Sequence, residues 1–208
     1  MAKPTKSVLL ASGGLDSTTL AYWLRRRKIQ FIPLFVNYGQ HCAKTELETL
    51  AHVLPKAYSR QIEVVDIGDV YKGCDSLLIR ETNLWNSIVV ADDLYLPYRN
   101  LLLLATGAAF AQSRRYSILY TAFINSNHAK ELDCSSEFFN QLSRVLRDYG
   151  SVRIRMPFRN MSKKQVARIG LKLGVPVAST FSCQAASVAP CGACPNCVDR
   201  LQALNSLA

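Results

Sequence analysis

Short apolar runs alternate with longer amphipathic stretches along most of the chain. An apolar run bounded by turn residues is typical of a buried strand, whereas apolar positions recurring every three or four residues are typical of a helix. The predicted strands cover 7–11, 31–36, 61–67, 117–122 and 153–156. The predicted helices cover 18–28, 41–53, 101–114, 138–149, 162–173 and 198–207. This alternation predicts an α/β fold with a doubly wound, mostly parallel five-stranded sheet.

Length and composition indicate one folded domain. We predict a single domain over 1–208, with a separate C-terminal subregion at 180–208. The hydrophobic content of 49% argues against general disorder. The stretch from Leu101 to Ala111 is the longest apolar one and is too short to span a bilayer, and no signal-type segment precedes the first strand. We therefore expect a cytoplasmic protein without membrane partners.

The turn between the first strand and the first helix is the first chemical signal. Gly13 and Gly14 let a ligand approach the backbone closely, and free N–H groups at a helix start favour an anion such as phosphate. Asp16 stands where a Walker A loop has its lysine. A carboxylate beside phosphates is costly unless a divalent cation bridges the two. The turn therefore predicts a pyrophosphate group held with Mg²⁺, the alternative being a plain turn before a helix capped by Asp16.

Further polar residues are expected at the same edge of the sheet. Tyr38 and Gln40 follow the second strand, and in open parallel sheets ligands bind at the strands' carboxyl ends. Asn100 is a predicted helix N-cap, and Arg99 beside it is a predicted ligand for phosphate or carboxylate. Lys163 falls in the first turn of a helix, where the macrodipole disfavours a cation. Its position indicates an anionic ligand nearby, the alternative being a solvated lysine.

Four cysteines near the C-terminus form the second strong signal: Cys183, Cys191, Cys194 and Cys197. Two overlapping Cys-x-x-Cys turns and a fourth thiolate match a tetrahedral Zn²⁺ site, and Gly192 permits the tight turn between ligands. Four protein ligands close the site, so we expect structural zinc that fixes the last helix to the body. An iron–sulfur cluster is the main alternative.

The sequence SGGLDS at 12–17 resembles the SGGxDS signature of the N-type ATP pyrophosphatases, the PP-loop family. The resemblance implies an adenine nucleotide alpha hydrolase-like fold. It also implies a loop that holds the pyrophosphate of ATP while a substrate oxygen attacks the α-phosphorus and forms an adenylate.

Motifs along nearly the whole chain resemble one branch, the 7-cyano-7-deazaguanine synthase family of the queuosine pathway. They are SGGLDSTT at 12–19, NYGQ at 37–40, PYRN at 97–100, Asp133-Cys134, TFSC at 180–183 and CGACPNC at 191–197. The resemblance implies an ATP-dependent carbon–nitrogen ligase that adenylates 7-carboxy-7-deazaguanine. Ammonia then gives the amide, and a second ATP gives the nitrile, with release of AMP and pyrophosphate. It also implies a homodimer.

The expected site residues form four groups. The catalytic groups are Asp16, Arg99 and Lys163. The nucleotide-binding residues are Ala11, Ser12, Gly13, Gly14, Leu15, Asp16, Ser17, Thr18, Tyr38, Gln40 and Asn100. The residues for the acid substrate are Asn125, Asp133 and Cys134, and the zinc ligands are Cys183, Cys191, Cys194 and Cys197.

Departures from the family pattern leave undecided which amine accepts the activated acid. Residues 126–135 read SNHAKELDCS where the family has SGYPDCR, and Gln184 replaces an aromatic residue after the first zinc cysteine. Tyr98 replaces a glycine, which we expect to narrow that edge of the site. The alternative is a paralogue that attaches a deazaguanine acid to a protein or to another macromolecular amine.

The charge balance favours an alternative of another class. The formal net charge is +10, and the segment from Arg153 to Lys172 contains seven basic residues and no acidic one. A zinc-knuckle nucleic-acid-binding module would suit that charge, but it leaves SGGLDS unexplained. A tRNA thiolase would need a catalytic cysteine, for which Cys134 is the candidate. We therefore do not expect nucleic acid to be the main partner.

Overall fold

Five strands form one parallel sheet in a computed structural model that describes residues 7–81, 88–124 and 135–206. The strands are β1 (Ser7–Leu10), β2 (Phe31–Asn37), β3 (Glu63–Asp66), β4 (Ile118–Tyr120) and β5 (Arg153–Arg155). Their order is β3-β2-β1-β4-β5. The predicted five-stranded sheet is confirmed. Because the strand order reverses between β1 and β4, a crevice is expected at the carboxyl ends of these two strands.

Helices cover both faces of this sheet, as predicted. They are α1 (Leu15–Arg26), α2 (Ala43–Val53), α3 (Lys56–Ser59), α4 (Arg99–Ser113), α5 (Ser136–Asp148), α6 (Lys163–Lys172) and α7 (Pro195–Asn205). Leu9, Phe31 and Phe35 pack with residues of α1, α2 and α6 on one face. Val8, Leu34 and Leu119 pack with residues of α4 and α5 on the other. Successive strand residues thus face opposite layers, as the pleat requires.

The start of α4 differs from the sequence prediction. Tyr98, with φ of 58°, is the N-cap, and Asn100 is already inside the first turn and only 2% exposed. The prediction that Asn100 caps this helix is therefore wrong, because the left-handed residue at 98 turns the chain before Arg99. A positive φ also explains why a glycine suits position 98 in the resembling family. The Tyr98 side chain is 71% exposed, so it points to solvent and the expected narrowing of the site is wrong.

Two other helix starts carry side-chain caps. The Ser162 hydroxyl accepts from the Gln165 N–H at 3.3 Å, and the Gln165 side chain accepts from the Ser162 N–H at 2.8 Å. This capping box confirms the predicted start of α6. At α5 the Ser135 hydroxyl accepts from the Phe138 N–H at 3.0 Å.

The irregular connection between β3 and α4 packs against the cysteine-rich region. Two short 3₁₀ turns, Gly68–Tyr71 and Asp92–Leu94, belong to it. Its buried residues share one apolar cluster with Cys183, Cys194 and Cys197; they are Tyr71, Leu78, Val89, Leu94 and Leu96. The described part of this connection therefore supports the C-terminal subregion. Within the described residues, no helix combines the length and apolarity that a membrane span requires.

Candidate active site

A pocket of about 310 Å³ lies at the carboxyl ends of β1, β2 and β4, where the strand order reverses. The strand ends supply Leu10 and Ala11, then Leu34, Phe35 and Val36, and finally Thr121, Ala122 and Phe123. The prediction that ligand-binding residues gather at this edge of the sheet agrees with this geometry. Phe123 directly follows the fourth strand predicted at 117–122.

The loop after β1 forms one wall of the pocket. Ser12, Gly14 and the first turn of α1 line it, and Gly14, the N-cap of the helix, provides no side-chain cap. The N–H groups of that first turn therefore remain available to an anion. Gly13 and Thr18, both predicted to bind the nucleotide, are not among the described residues that line the pocket. Thr18 is fully buried behind the loop.

Position 13 requires a glycine for a structural reason. Its φ is 76°, and a Cβ atom there would lie 2.8 Å from both the Glu46 carbonyl oxygen and the Leu50 nitrogen of α2. Only glycine allows this conformation together with this approach. The loop is thereby held against the first turns of α2.

Asp16 and Lys163 meet in the pocket although 147 residues separate them. Lys163 Nζ donates to Asp16 Oδ2 at 3.0 Å, and the side chains are 17% and 21% exposed. Asp16 Oδ1 is buried and has no hydrogen-bond partner among the described residues. A free carboxylate oxygen beside helix N–H groups fits a hard cation such as Mg²⁺, which takes oxygen ligands. Lys163 is thus paired with Asp16 in the structure, and the anionic ligand that its position predicts stays a prediction.

The remaining predicted nucleotide residues line the pocket as well, but Gln40 uses its amide within the protein. Gln40 is 3% exposed; its Oε1 accepts from the Tyr38 N–H, and its Nε2 donates to Glu46 Oε2, both at 2.9 Å. Tyr38, Arg99 and Asn100 also line the pocket. Gln40 therefore shapes the turn after β2 and orients Glu46.

Sequence reasoning missed Glu46, a carboxylate in the pocket wall. Burial raises its pKa to about 7, and the opposing effects of Gln40, Cys42 and Arg99 are smaller. The available signal was its place in the predicted helix, since Glu46, Leu50 and Val53 fall on one helical face and the latter two are buried. An acidic residue on the buried face of a helix that follows a strand is thus a candidate site residue.

The four predicted zinc ligands converge. The Sγ atoms of Cys183, Cys191, Cys194 and Cys197 all lie within 4.8 Å of one another. Tetrahedral zinc with Zn–S bonds of about 2.3 Å separates its sulfurs by about 3.8 Å, so the set fits this ion with a small contraction. Cys183 Sγ accepts from the Ala186 N–H at 3.3 Å, and Cys191 Sγ accepts from the Cys194 N–H at 3.2 Å. Such donors support thiolate ligands.

The cysteine subregion also forms a wall of the pocket, which the sequence did not predict. Four of its residues line the cavity: Phe181, Ser182, Gln184 and Asn196. The Phe181 N–H donates to the Gly13 carbonyl at 3.1 Å, and Asn196 Nδ2 donates to Gln184 Oε1. His41 Nε2 donates to the Gln184 carbonyl at 3.1 Å. The first and last motifs of the chain thus share one cavity.

The acid-substrate residues Asn125, Asp133 and Cys134 lie outside the described residues. Their assignment stays a prediction. The described chain on either side ends at Ile124 and resumes at Ser135.

Comparison with known proteins agrees with this geometry. Residues 6–208 match the family model of the queuosine biosynthesis protein QueC. A 7-cyano-7-deazaguanine synthase of Methanospirillum hungatei is 29% identical over 97% of this chain and 96% of its own. The synthase of Porphyromonas gingivalis is 30% identical over 99% of this chain and 94% of its own. The synthase of Marinobacter nauticus is 31% identical over 94% of this chain and 90% of its own.

A solved structure supports the fold alone. A 4-thiouridine synthetase, solved in complex with RNA and bound ATP, matches with a TM-score of 0.53 at 15% identity. The match covers 98% of this chain and 51% of the synthetase. Since the QueC model matches residues 6–208, a range that includes both the SGGLDS loop and the four cysteines, the chain belongs to the QueC family of queuosine biosynthesis proteins.

Proposed function

We propose that the protein is an ATP-dependent ligase that converts 7-carboxy-7-deazaguanine, through the amide, into 7-cyano-7-deazaguanine. The observation that carries the proposal is the Asp16–Lys163 pair at the N-terminus of α1, inside a pocket that both family motifs line. Family membership supplies the substrate class. Each of the two activation steps would consume one ATP and release AMP and pyrophosphate.

The loop residues suit the first half of this reaction. A carboxylate is a poor electrophile until one of its oxygens carries AMP, which is a good leaving group. The uncapped first turn of α1 would bind the pyrophosphate, and Lys163 would neutralise charge that develops on it. Asp16 Oδ1 would hold Mg²⁺, which supplies further charge neutralisation when bound. Arg99, which lines the same pocket, would hold the carboxylate or a phosphate.

We further propose that the cysteine knuckle holds zinc in a closed, structural site. Four thiol ligands leave no open coordination position for a substrate. The knuckle would act on the reaction through its backbone and its neighbours, because Phe181 is tied to Gly13 and Gln184 and Asn196 line the pocket. By resemblance we also propose a homodimer, which sedimentation equilibrium would test.

The proposal is tested by incubating the protein with ATP, Mg²⁺, 7-carboxy-7-deazaguanine and ammonium, followed by mass spectrometry of the products. We expect the nitrile and two AMP per nitrile. Amide or adenylate as the final product, with transfer to an added protein fraction, would favour the conjugating paralogue instead. No AMP from zinc-loaded protein would overturn both.

A further inference from the structure

Glu46 places a second carboxylate in the pocket, apart from the proposed phosphate-binding pair. Among the described residues that line the pocket, Asp16 and Glu46 are the acidic ones. Asp16 is engaged by the Lys163 ammonium group at 3.0 Å, whereas Glu46 is held by the neutral Gln40 amide at 2.9 Å. The two carboxylates therefore have different partners, which indicates different roles.

The position of Glu46 is fixed from two sides. Gln40 is almost fully buried, and its other amide atom is fixed by the Tyr38 N–H, so it cannot rotate away from Glu46 without losing that bond. The backbone of Glu46 lies directly against Gly13 of the loop. Glu46 thus packs against the loop that would hold ATP, and it lines the cavity where an acyl adenylate would form.

The electrostatic environment of Glu46 suits a group that exchanges protons near neutral pH. Burial raises the pKa of Glu46 to about 7. The charged and titratable groups that face it are Arg99 from α4, Cys42 at the start of its own helix and Tyr38 at the end of β2. Tyr38 and Cys42 have raised pKa values and stay neutral, chiefly because of burial. A general base works best when its pKa lies near the working pH.

The proposed reaction needs such a base on its nitrogen side. At neutral pH ammonia is present mainly as ammonium, which has no lone pair with which to attack. Forming the amide from ammonium releases two protons, and converting the amide into the nitrile releases two more from the same nitrogen. Lys163 and Arg99 carry positive charge and do not accept these protons, and the Asp16 carboxylate is engaged by Lys163 and would hold Mg²⁺.

We propose that Glu46 is the proton acceptor for the nitrogen nucleophile. Its carboxylate removes one proton from ammonium, and the resulting ammonia attacks the acyl carbon of the adenylate. The C–O bond to AMP breaks, and AMP leaves with the electron pair. Glu46 returns each proton to solvent before it accepts the next, including the two N–H protons lost in nitrile formation. This role rests on the proposed function and assigns to that site a residue that the nucleotide motifs do not contain.

Two assays on Glu46→Gln separate activation from nitrogen transfer. Acid-dependent exchange of pyrophosphate into ATP reports adenylation and needs no nitrogen, whereas amide and nitrile formation need it. We expect exchange within about fivefold of wild type and nitrogen transfer lowered about 10²-fold, the low end of the general-base range. Glu48→Gln is the matched control, since Glu48 is exposed on the same helix, and it should leave both rates unchanged.

The nucleophile and the pH provide a second readout. Hydroxylamine is a weaker base than ammonia and is mostly unprotonated at neutral pH, so Glu46→Gln should form the hydroxamate at close to the wild-type rate. With ammonium, the rate of the variant should keep rising with pH as free ammonia accumulates, while the wild-type rate levels off above about pH 7. These differences would not arise from a purely structural defect.

The outcomes distinguish this role from others. Nitrogen transfer at the wild-type rate in Glu46→Gln would overturn it. A parallel fall of exchange and nitrogen transfer would also overturn it, and would instead assign Glu46 to nucleotide binding or to folding. Absence of exchange in zinc-loaded wild-type protein would overturn the proposed function itself, and this role with it.

Discussion

The loop at 12–17 and the cysteine knuckle at 183–197 lie side by side but differ in how fully their polar atoms are satisfied. In the loop, Asp16 Oδ1 lacks a hydrogen-bond partner among the described residues, and the helix start lacks a side-chain cap. In the knuckle, backbone N–H groups already point at the sulfurs, and four sulfurs surround one point. The loop therefore has free polar atoms for a ligand that binds and leaves, whereas the knuckle has the geometry of a permanent metal site.

The largest effect is expected from breaking the knuckle. Cys194→Ser should lose zinc and destabilise the fold by more than the roughly 0.5–3 kcal/mol of an ordinary substitution, because structural zinc contributes directly to folding. Metal analysis and thermal unfolding, each with and without a chelator, measure this. Ala193→Ser, at the exposed neighbouring residue, is the control and should behave as wild type. A folded, zinc-loaded Cys194→Ser protein would refute the closed four-cysteine site.

Breaking the loop should act on activity and leave the fold intact. Asp16→Asn keeps the volume and an acceptor for Lys163 but removes the charge that would hold Mg²⁺. We expect AMP release to fall by about 10²–10³-fold, as when a transition-state charge loses one stabilising group, with little change in the midpoint of thermal unfolding. Asp148→Asn, at an exposed site at the end of α5, is the control. Unchanged AMP release would remove Asp16 from the mechanism.

Two glycines offer the same substitution in the two regions. Gly13 and Gly192 have φ of 76° and 74°, but a Cβ at Gly13 meets the backbone of α2 at 2.8 Å. A Cβ at Gly192 meets no atom of the described residues within 4 Å. Gly192→Ala should cost about 1–2 kcal/mol from backbone conformation alone. Gly13→Ala should cost more, since α2 must also move, and should lower ATP affinity. Chemical denaturation of both variants gives the ranking; equal losses would contradict the close approach of loop and helix.

Glu46 should also make the stability of the protein depend on pH. The pKa of Glu46 is about 7 in the folded protein against an ordinary value of 4.5, so between these values the folded state binds more protons than the unfolded state. The contribution of Glu46 to stability should therefore decline as pH rises from about 4.5 to about 7 and stay constant above that. Subtracting the free energy of unfolding of Glu46→Gln from that of wild type isolates this decline. A flat difference would place the carboxylate in a solvated environment.

The sequence was most informative where a motif is local. SGGLDS and the cysteine spacing each determine a turn and its ligand atoms within a few residues, so both were found before the fold was known. Likewise the strand pattern predicted the sheet, because buried parallel strands are short and apolar. The helix start at α4 was misjudged, because a left-handed Tyr98 breaks the ordinary rule that such positions take glycine.

Contacts between segments that are distant along the chain could not be predicted from the sequence. The pairing of Lys163 with Asp16 and the bond from Phe181 to Gly13 depend on how α6 and the knuckle pack beside α1. The sequence placed Glu46 on the buried face of its helix, but its contacts with the loop and with Gln40 follow from the packing of α2 against Gly13. Its own segment reads as an ordinary amphipathic helix.

The central claim, that ATP activates the carboxylate of a deazaguanine acid in this pocket, is tested most directly by oxygen tracing. The substrate is 7-carboxy-7-deazaguanine with both carboxylate oxygens labelled with ¹⁸O, and the AMP released in the presence of ammonium is examined by mass spectrometry. Adenylation leaves one substrate oxygen on AMP at each activation, so the account predicts two AMP molecules per nitrile, each with one ¹⁸O. AMP without ¹⁸O would mean that water or another group attacks ATP, and it would contradict the account.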